Sequence, residues 1–393
     1  MRPRLRIALI AASAALASGA VAWTDFRHAV VADVAAPATA PAAAADWPAF
    51  HGGGPLTGVA SPLPQGPLAV RWTFKHDEPG PIEGSAVIVG QSAFIGDSKG
   101  RLFCLDLATG KPRWTYLIEA GFESSPLVAN GKVYIGDLAG IFHCVSAEDG
   151  KKRWTFDAGS GQPIHASANI IGNKVIFGDD GANIICVNAD DGRKIWLVET
   201  GDRVNATPAI GNGLAFVSGC DAQLRAIDVE TGKEKFAVDL ESLAPGSPAL
   251  LPDRVIIGTD GGQLLAIAAD GSKKLWTYAG VKDAAMVYAS PAVAEGIVVV
   301  GARDRQVHAV DMQTGEKKWT FGTRGEVNSS PAIAGGKVYV GSRDKKLYVL
   351  DLKTGKKLEE FQASRAIESS PAIGQGVVIF GDTSGAVYCL EPK

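Results

Sequence analysis

Four ionisable residues of this chain recur at a spacing longer than any hairpin or helix turn: Glu83, Glu123, His165 and Glu368 each stand two places before a Ser. In the remaining copies of the same phrase that place is held by Asn205, Pro245, Tyr288 and Asn328. Carboxylate oxygens suit Ca²⁺ or Mg²⁺, and carboxylates held together repel one another until a cation relieves them. The set therefore offers binding of a cation or of a basic partner segment, against the plainer reading of solvated residues. A second set follows the Gly that ends a later run: Asp97, Asp137, Asp179 and Asp382, replaced elsewhere by Cys220, Thr259, Ala302 and Ser342. Asp there also closes a turn by bonding its own backbone. Beside two of these positions lie Arg303, Arg305, Arg343, Lys345 and Lys346, so one group of copies is acidic and another basic.

Covalent catalysis has no support. A serine nucleophile needs a base within hydrogen-bond reach, and His stands beside only one of the eight similar hydroxyls. His143 and His308 fall in apolar runs of different copies and read as packing residues, because a metal site needs three or four converging ligands.

The elements that position these residues follow from the period. The reference hydroxyls are Ser85, Ser125, Ser167, Thr207, Ser247, Ser290, Ser330 and Ser370, separated by 40, 42, 40, 40, 43, 40 and 40 residues. Such self-similarity decides the architecture before any local reading. Within one copy, Val338 to Gly341 and Leu347 to Asp351 are short β-branched and aromatic runs bounded by Gly, Asp and Ser, which is how strands joined by tight turns read. Each copy encodes a four-stranded antiparallel sheet with two apolar faces. Stacking the copies in a closed circle covers both faces of every sheet, so the expected fold is all-β, an eight-bladed propeller. The last copy stops after its third strand, and Val70-Arg71-Trp72-Thr73-Phe74 precedes the first copy as a spare fourth strand. That strand is expected to complete the last blade and remove exposed edges.

In each blade the segment entering the first strand and the hairpin between strands two and three fall on one face. The Glu, His, Asn and Tyr set is then an inner ring at the channel mouth. Asp97, Asp137, Asp179, Asp382, Arg303 and Arg343 form an outer ring.

The chain has 393 residues with 39 basic and 42 acidic side chains, a formal net charge of -3. A near-neutral balance gives no electrostatic case for nucleic acid. Residues 1–22, with Arg2, Arg4 and Arg6 before an apolar run and small residues at Ala20 to Ala22, have the pattern of a secretory signal peptide. An uncleaved anchor is the alternative, and its apolar run is short for a span. Export or a periplasmic location is expected, without a lipid anchor, since no Cys lies near the cleavage site. Residues 23–45 are Ala- and Pro-rich and read as a disordered spacer. Residues 46–67 form a Gly-rich lead-in whose Trp47 and Phe50 are expected to pack on a propeller spanning 68–393. Cys104, Cys144, Cys186 and Cys389 hold one equivalent position in four blades and Cys220 stands apart. Equivalent residues point alike in successive blades and do not come within disulfide reach, so free buried thiols are expected.

The unit Ser-Ser-Pro-Ala, Val-Tyr-Val-Gly-Ser, Leu-Tyr-x-Leu-Asp and Thr-Gly-Lys-x-x-Trp resembles the PQQ-like repeat of quinoprotein propellers. The resemblance makes Trp72, Trp114, Trp154, Trp196, Trp276 and Trp319 the docking tryptophans, with Phe236 in one copy and Glu359 in another, so the junction between blades 7 and 8 is expected to be the least well docked. One branch, the dehydrogenases that bind pyrroloquinoline quinone (PQQ) with Ca²⁺, implies longer chains, a Cys-Cys pair and long insertions. This sequence has neither the pair nor the insertions. The shorter, non-catalytic branch is similar to the BamB-like outer-membrane assembly propellers and implies a scaffold for protein partners in the cell envelope, monomeric and without a cofactor. The PQQ-dependent dehydrogenase is the alternative.

Overall fold

The computed structural model describes residues 45–63 and 65–393; the signal-peptide reading, and the spacer reading except for Ala45, fall on residues outside these. Eight sheets follow one another in sequence order. In blade 7 the strands are Ala332–Ala334, Lys337–Ser342, Lys346–Asp351 and Lys357–Gln362, paired antiparallel in that order. Blade 8 consists of Ala372–Gly374, Val377–Gly381 and Ala386–Pro392, and its fourth strand is Leu68–Lys75, antiparallel to Ala386–Pro392. The spare strand thus closes the ring as its sequence requires. Among the described residues only two short 3₁₀ turns, Phe50–Gly52 and Lys282–Ala284, interrupt the β-structure.

Burial explains the composition of each strand. Middle strands such as Val377–Gly381 are buried along their whole length, because the neighbouring blades cover both faces. Outer strands such as Pro112–Leu117 and Lys152–Asp157 are exposed at alternate positions. Charged residues on these outer edges discourage pairing with other chains. In every blade the ladder to the outer strand shifts register one residue before the docking position, for example between Lys152 and Trp154. A bulge re-aims the next side chain, and here it turns the indole onto the following blade. Trp114 donates its Nε1–H to the Ala147 carbonyl at 3.1 Å and its ring lies on Gly150. A Cβ on Gly150 would sit 2.6 Å from that ring, and its φ of +69° also favours Gly. Trp72, Trp154, Trp196, Trp276 and Trp319 repeat the arrangement.

The lead-in does more than pack. Its backbone visits the first strands of the blades in order around the end of the channel away from the Ser residues. Ala45 accepts from Gln375 N–H, Trp47 exchanges two hydrogen bonds with Ile88, and Pro48 accepts from Val128. Gly54 meets the Asn169 amide and accepts from Ile210, Pro55 accepts from Leu250, Thr57 from Val293 and Gly58 from Ile333. Val59–Ala60 then runs parallel to Ala332–Ala334 as a fifth strand of blade 7. All eight blades are tied by one strap. Trp47 is 2% exposed, and the buried ring of His51 lies 3.0 Å from the Leu56 carbonyl and 2.9 Å from that of Pro331.

Candidate functional site at the channel mouth

The repeated Ser has an architectural task. At seven of the eight junctions its hydroxyl accepts the backbone N–H of the equivalent residue one blade earlier, from Ser85 onto Ser125 at 2.9 Å round to Ser370 onto Ser85 at 2.9 Å. These N–H groups precede the first strands and have no sheet partner, and a buried unmet donor is costly. Below the hydroxyls Phe50 of the strap lines the chamber, which has a volume of about 120 Å³. With the strap across its far end, the channel forms a blind well.

The residues two places before each hydroxyl all line this well: Glu83, Glu123, His165, Asn205, Pro245, Tyr288, Asn328 and Glu368. Above them opens a mouth of about 410 Å³ that Arg303, Arg343 and Thr383 also line. The inner ring deduced from the repeat is one physical site.

The outer ring is not. Asp97, Asp137, Asp179 and Asp382 are buried, each no more than 3% exposed, and are spent on their own hairpins. Asp97 Oδ1 accepts the N–H groups of Lys99 and Arg101, Asp137 those of Ala139 and Ile141, Asp179 that of Asn183, and Asp382 those of Ser384 and Ala386. Their second oxygens bind Arg101, His143, Ser160 and Tyr388. Turn closure therefore accounts for the four Asp residues. His143 and His308 likewise each bridge a carboxylate of their own blade and a tyrosine from the outer strand of the preceding blade: Asp137 with Tyr116, and Asp304 with Tyr278.

Arg303 and Arg343 behave differently from the other outer residues and reach into the mouth. Arg343 Nε lies 3.2 Å from Glu368, and its Nη1 lies 3.4 Å from Glu326. Arg303 donates through Nε to Asn328 Oδ1 at 3.2 Å, and its guanidinium carbon sits 5.2 Å from the centre of the Tyr288 ring. Asn328 in turn donates to Glu368 at 2.9 Å. The basic hairpins thus join the acidic ring.

On the opposite side His165 lies between two carboxylates, with Nε2 3.2 Å from Glu123 and Nδ1 3.1 Å from Asp180. Hydrogen bonds to Asp180 and then Glu123 raise its pKa to about 9, so it is an imidazolium at neutral pH. Asp180 went unnoticed in the sequence because it is one residue past the turn Asp, where only some copies carry a charge. Glu83 has no hydrogen-bonding or ion-pair partner among the described residues. Burial, then the charges of Glu123 and Glu368, raise its pKa.

Three overlapping matches to the family model described as outer membrane protein assembly factor BamB cover residues 69–196, 170–284 and 281–393. The chain belongs to this family. No curated protein matches it. Solved structures share the fold: BamB from Moraxella catarrhalis is similar over 83% of this chain and 98% of its own, with a TM-score of 0.70 and 20% identity. A europium-containing methanol dehydrogenase gives 0.76 and 13%, over 88% and 98%. The quinohemoprotein alcohol dehydrogenase from Comamonas testosteroni gives 0.77 and 15%, over 88% and 80%. At these identities the resemblance is one of fold, shared by an assembly factor and by quinoprotein enzymes.

Proposed function

We propose that this BamB-family propeller is an exported, non-catalytic scaffold that docks protein partners in the bacterial cell envelope through its mouth face. The observation that carries the reading is the blind well: a polar cavity on a rigid ring, floored by the strap, whose ionisable groups are mostly engaged with one another. Such a surface can recognise charge and shape, and it holds no nucleophile and base pair. No helix among the described residues is long and apolar enough to cross a membrane.

The quinone alternative can be tested against the residues. PQQ carries three carboxylates and, with its Ca²⁺, needs converging oxygen ligands and cationic partners. Among the described residues no three His, Cys, Asp or Glu side chains converge on a metal position. Glu83, Glu123 and Glu368 at the mouth would oppose a tricarboxylate, and the five cysteines are buried in separate places. Arg303 and Arg343 are the cationic side chains the mouth offers such a group, and the scaffold reading rests on the surrounding carboxylates and on the absence of a converging ligand set among the described residues.

The test is affinity capture from envelope extract with the full chain, alongside a variant reversing two mouth charges, Glu123→Lys and Glu368→Lys. Partners held by the native chain and lost by the variant support docking through the mouth. Reduction of a redox dye by alcohols or sugars after addition of PQQ and Ca²⁺ would overturn the non-catalytic reading.

A further inference from the structure

The groups lining the mouth are not uniformly satisfied, and those left over fall at two poles of opposite character. On the side of blades 1 to 4, Glu83 has no cationic partner among the described residues, although Glu123, its neighbour in the ring, is matched by His165. Farther along the same side, Oδ1 of Asn205 is shielded from solvent and has no hydrogen-bond partner among the described residues. A buried acceptor left unmet is costly, and Asn205 lines the well, where its amide can turn toward a donor that enters. A carboxylate and an unmet amide oxygen together ask for an N–H-rich cation.

Across the well, on blades 6 and 7, the surplus is of donors. Arg303 uses only its Nε on Asn328, leaving both terminal nitrogens without a partner among the described residues. Arg343 uses Nε and Nη1 on Glu368 and Glu326, leaving Nη2. Guanidinium groups with open N–H forks select carboxylates. Tyr288, 42% exposed, lies beneath Arg303 and presents its ring to the same space. A lone metal ion or a purely basic segment would satisfy the first pole and leave the second empty.

We propose that the well is a binding site for small zwitterions, amino acids or short peptides with free ends, the ammonium lodged against Glu83 and Asn205 and the carboxylate held by Arg303 and Arg343. The mouth volume of about 410 Å³ falls in the range of small-ligand sites. A peptide's ammonium supplies the missing donors and its carboxylate the missing acceptor, so binding removes unmet groups at both poles. This site goes beyond partner docking and stands or falls separately, because a small ligand can occupy the well whether or not a protein covers the face.

Calorimetric titration of the full chain with glycine, triglycine, N-acetyl-triglycine, triglycine amide and CaCl₂ tests it. One or both zwitterions are expected to bind, with each end-blocked peptide weaker by at least about tenfold, a difference of about 1.4 kcal/mol. Glu83→Gln should weaken the zwitterion while sparing the acid pole's shape, and Arg303→Gln should do the same at the other pole. Melting curves of both variants should match the parent, which separates lost binding from lost folding. No heat from either zwitterion, equal affinity for the blocked peptides, or heat from CaCl₂ alone would overturn the proposal. Envelope partners captured normally beside a silent titration would sink this site and leave the docking reading intact.

Discussion

The carboxylate of Glu359 accepts the backbone N–H of Leu68 at 2.8 Å, across the place where the ring closes without a peptide bond. At six other junctions the equivalent residue is a Trp that lies on a Gly in the next blade's turn and donates to a carbonyl there. Blade 8 has no such turn, because its third strand ends at Pro392 and its fourth begins at Leu68. The seam exposes a strand-start N–H in place of a carbonyl, so an acceptor fits where a donor fits elsewhere. The Trp-to-Glu change, which suggests weak docking in the sequence, matches what faces it.

Glu359→Ala is therefore expected to destabilise the ring by about 1.5–3 kcal/mol, the range for a hydrogen bond to a charged group. Glu359→Gln keeps an acceptor and should cost less. Glu359→Trp, although it restores the repeat, should also destabilise, since Leu68 would lose its partner. Thermal melting of the three variants checks the order; a Trp variant more stable than the parent would contradict it.

Removing the closing strand is a harsher version of the same test. Without residues 68 to 75, Ala386–Pro392 loses its antiparallel partner and Trp72 its contact with the Leu107 carbonyl. Both edges at the seam become open. A large fall in melting temperature is expected, and an unchanged one would mean that the ring does not depend on this strand.

The hydroxyl ring makes a different prediction. Ser330→Ala leaves the buried N–H of Ser290 without its acceptor and should cost about 1–3 kcal/mol. Ser330→Thr retains a hydroxyl oxygen at the junction and should cost less, although Thr207 is the one repeat hydroxyl that does not make this bond. If Ala and Thr melt alike, the hydroxyl is not what the junction needs.

What could be read beforehand divides along the period. Anything written eight times, such as the Ser, the docking Trp or the strand runs, was legible because eight copies average out local noise. The inner ring followed from register alone: a fixed offset from Ser in equivalent strands must point the same way. The burial of the Asp residues was foreshadowed by turn chemistry, and the inward reach of Arg303 and Arg343 follows from their standing, like Asp180, one place beyond the Asp position, a difference hidden by grouping them with Asp97 and Asp382 in one outer ring. The strap was illegible as a strap. It occurs once, and nearly all its contacts are made by backbone atoms, which leave no residue signature beyond Trp47 and Phe50.

The thiols should be silent in the native protein. All five cysteines are free and buried, and burial pushes Cys144, Cys186 and Cys389 up to about 12. The thiolate is the reactive form, so a thiol reagent at pH 8 should label none of these three before unfolding and all five afterwards. Rapid labelling of Cys144, Cys186 or Cys389 in the folded chain would show that their blades open.

His165 gives the stability of the mouth a pH dependence whose sign is fixed. Its pKa is raised from 6.5 to about 9 because the imidazolium is held by Asp180 and Glu123. A group whose pKa is higher in the folded state binds its proton more tightly there. Its contribution is complete below about pH 6.5 and is lost as pH rises through about 9. The difference in melting temperature between the parent and His165→Gln should be constant up to about pH 6.5, shrink between pH 7 and 9, and flatten above. Partial exposure to water will reduce its size through screening, without altering its direction. Because His165 also neutralises Glu123, the Gln variant leaves Glu83 beside a carboxylate that has lost its cation, and the zwitterion's ammonium should then bind more tightly. A difference in melting temperature that grows toward high pH would show that the imidazolium is not what Asp180 and Glu123 hold.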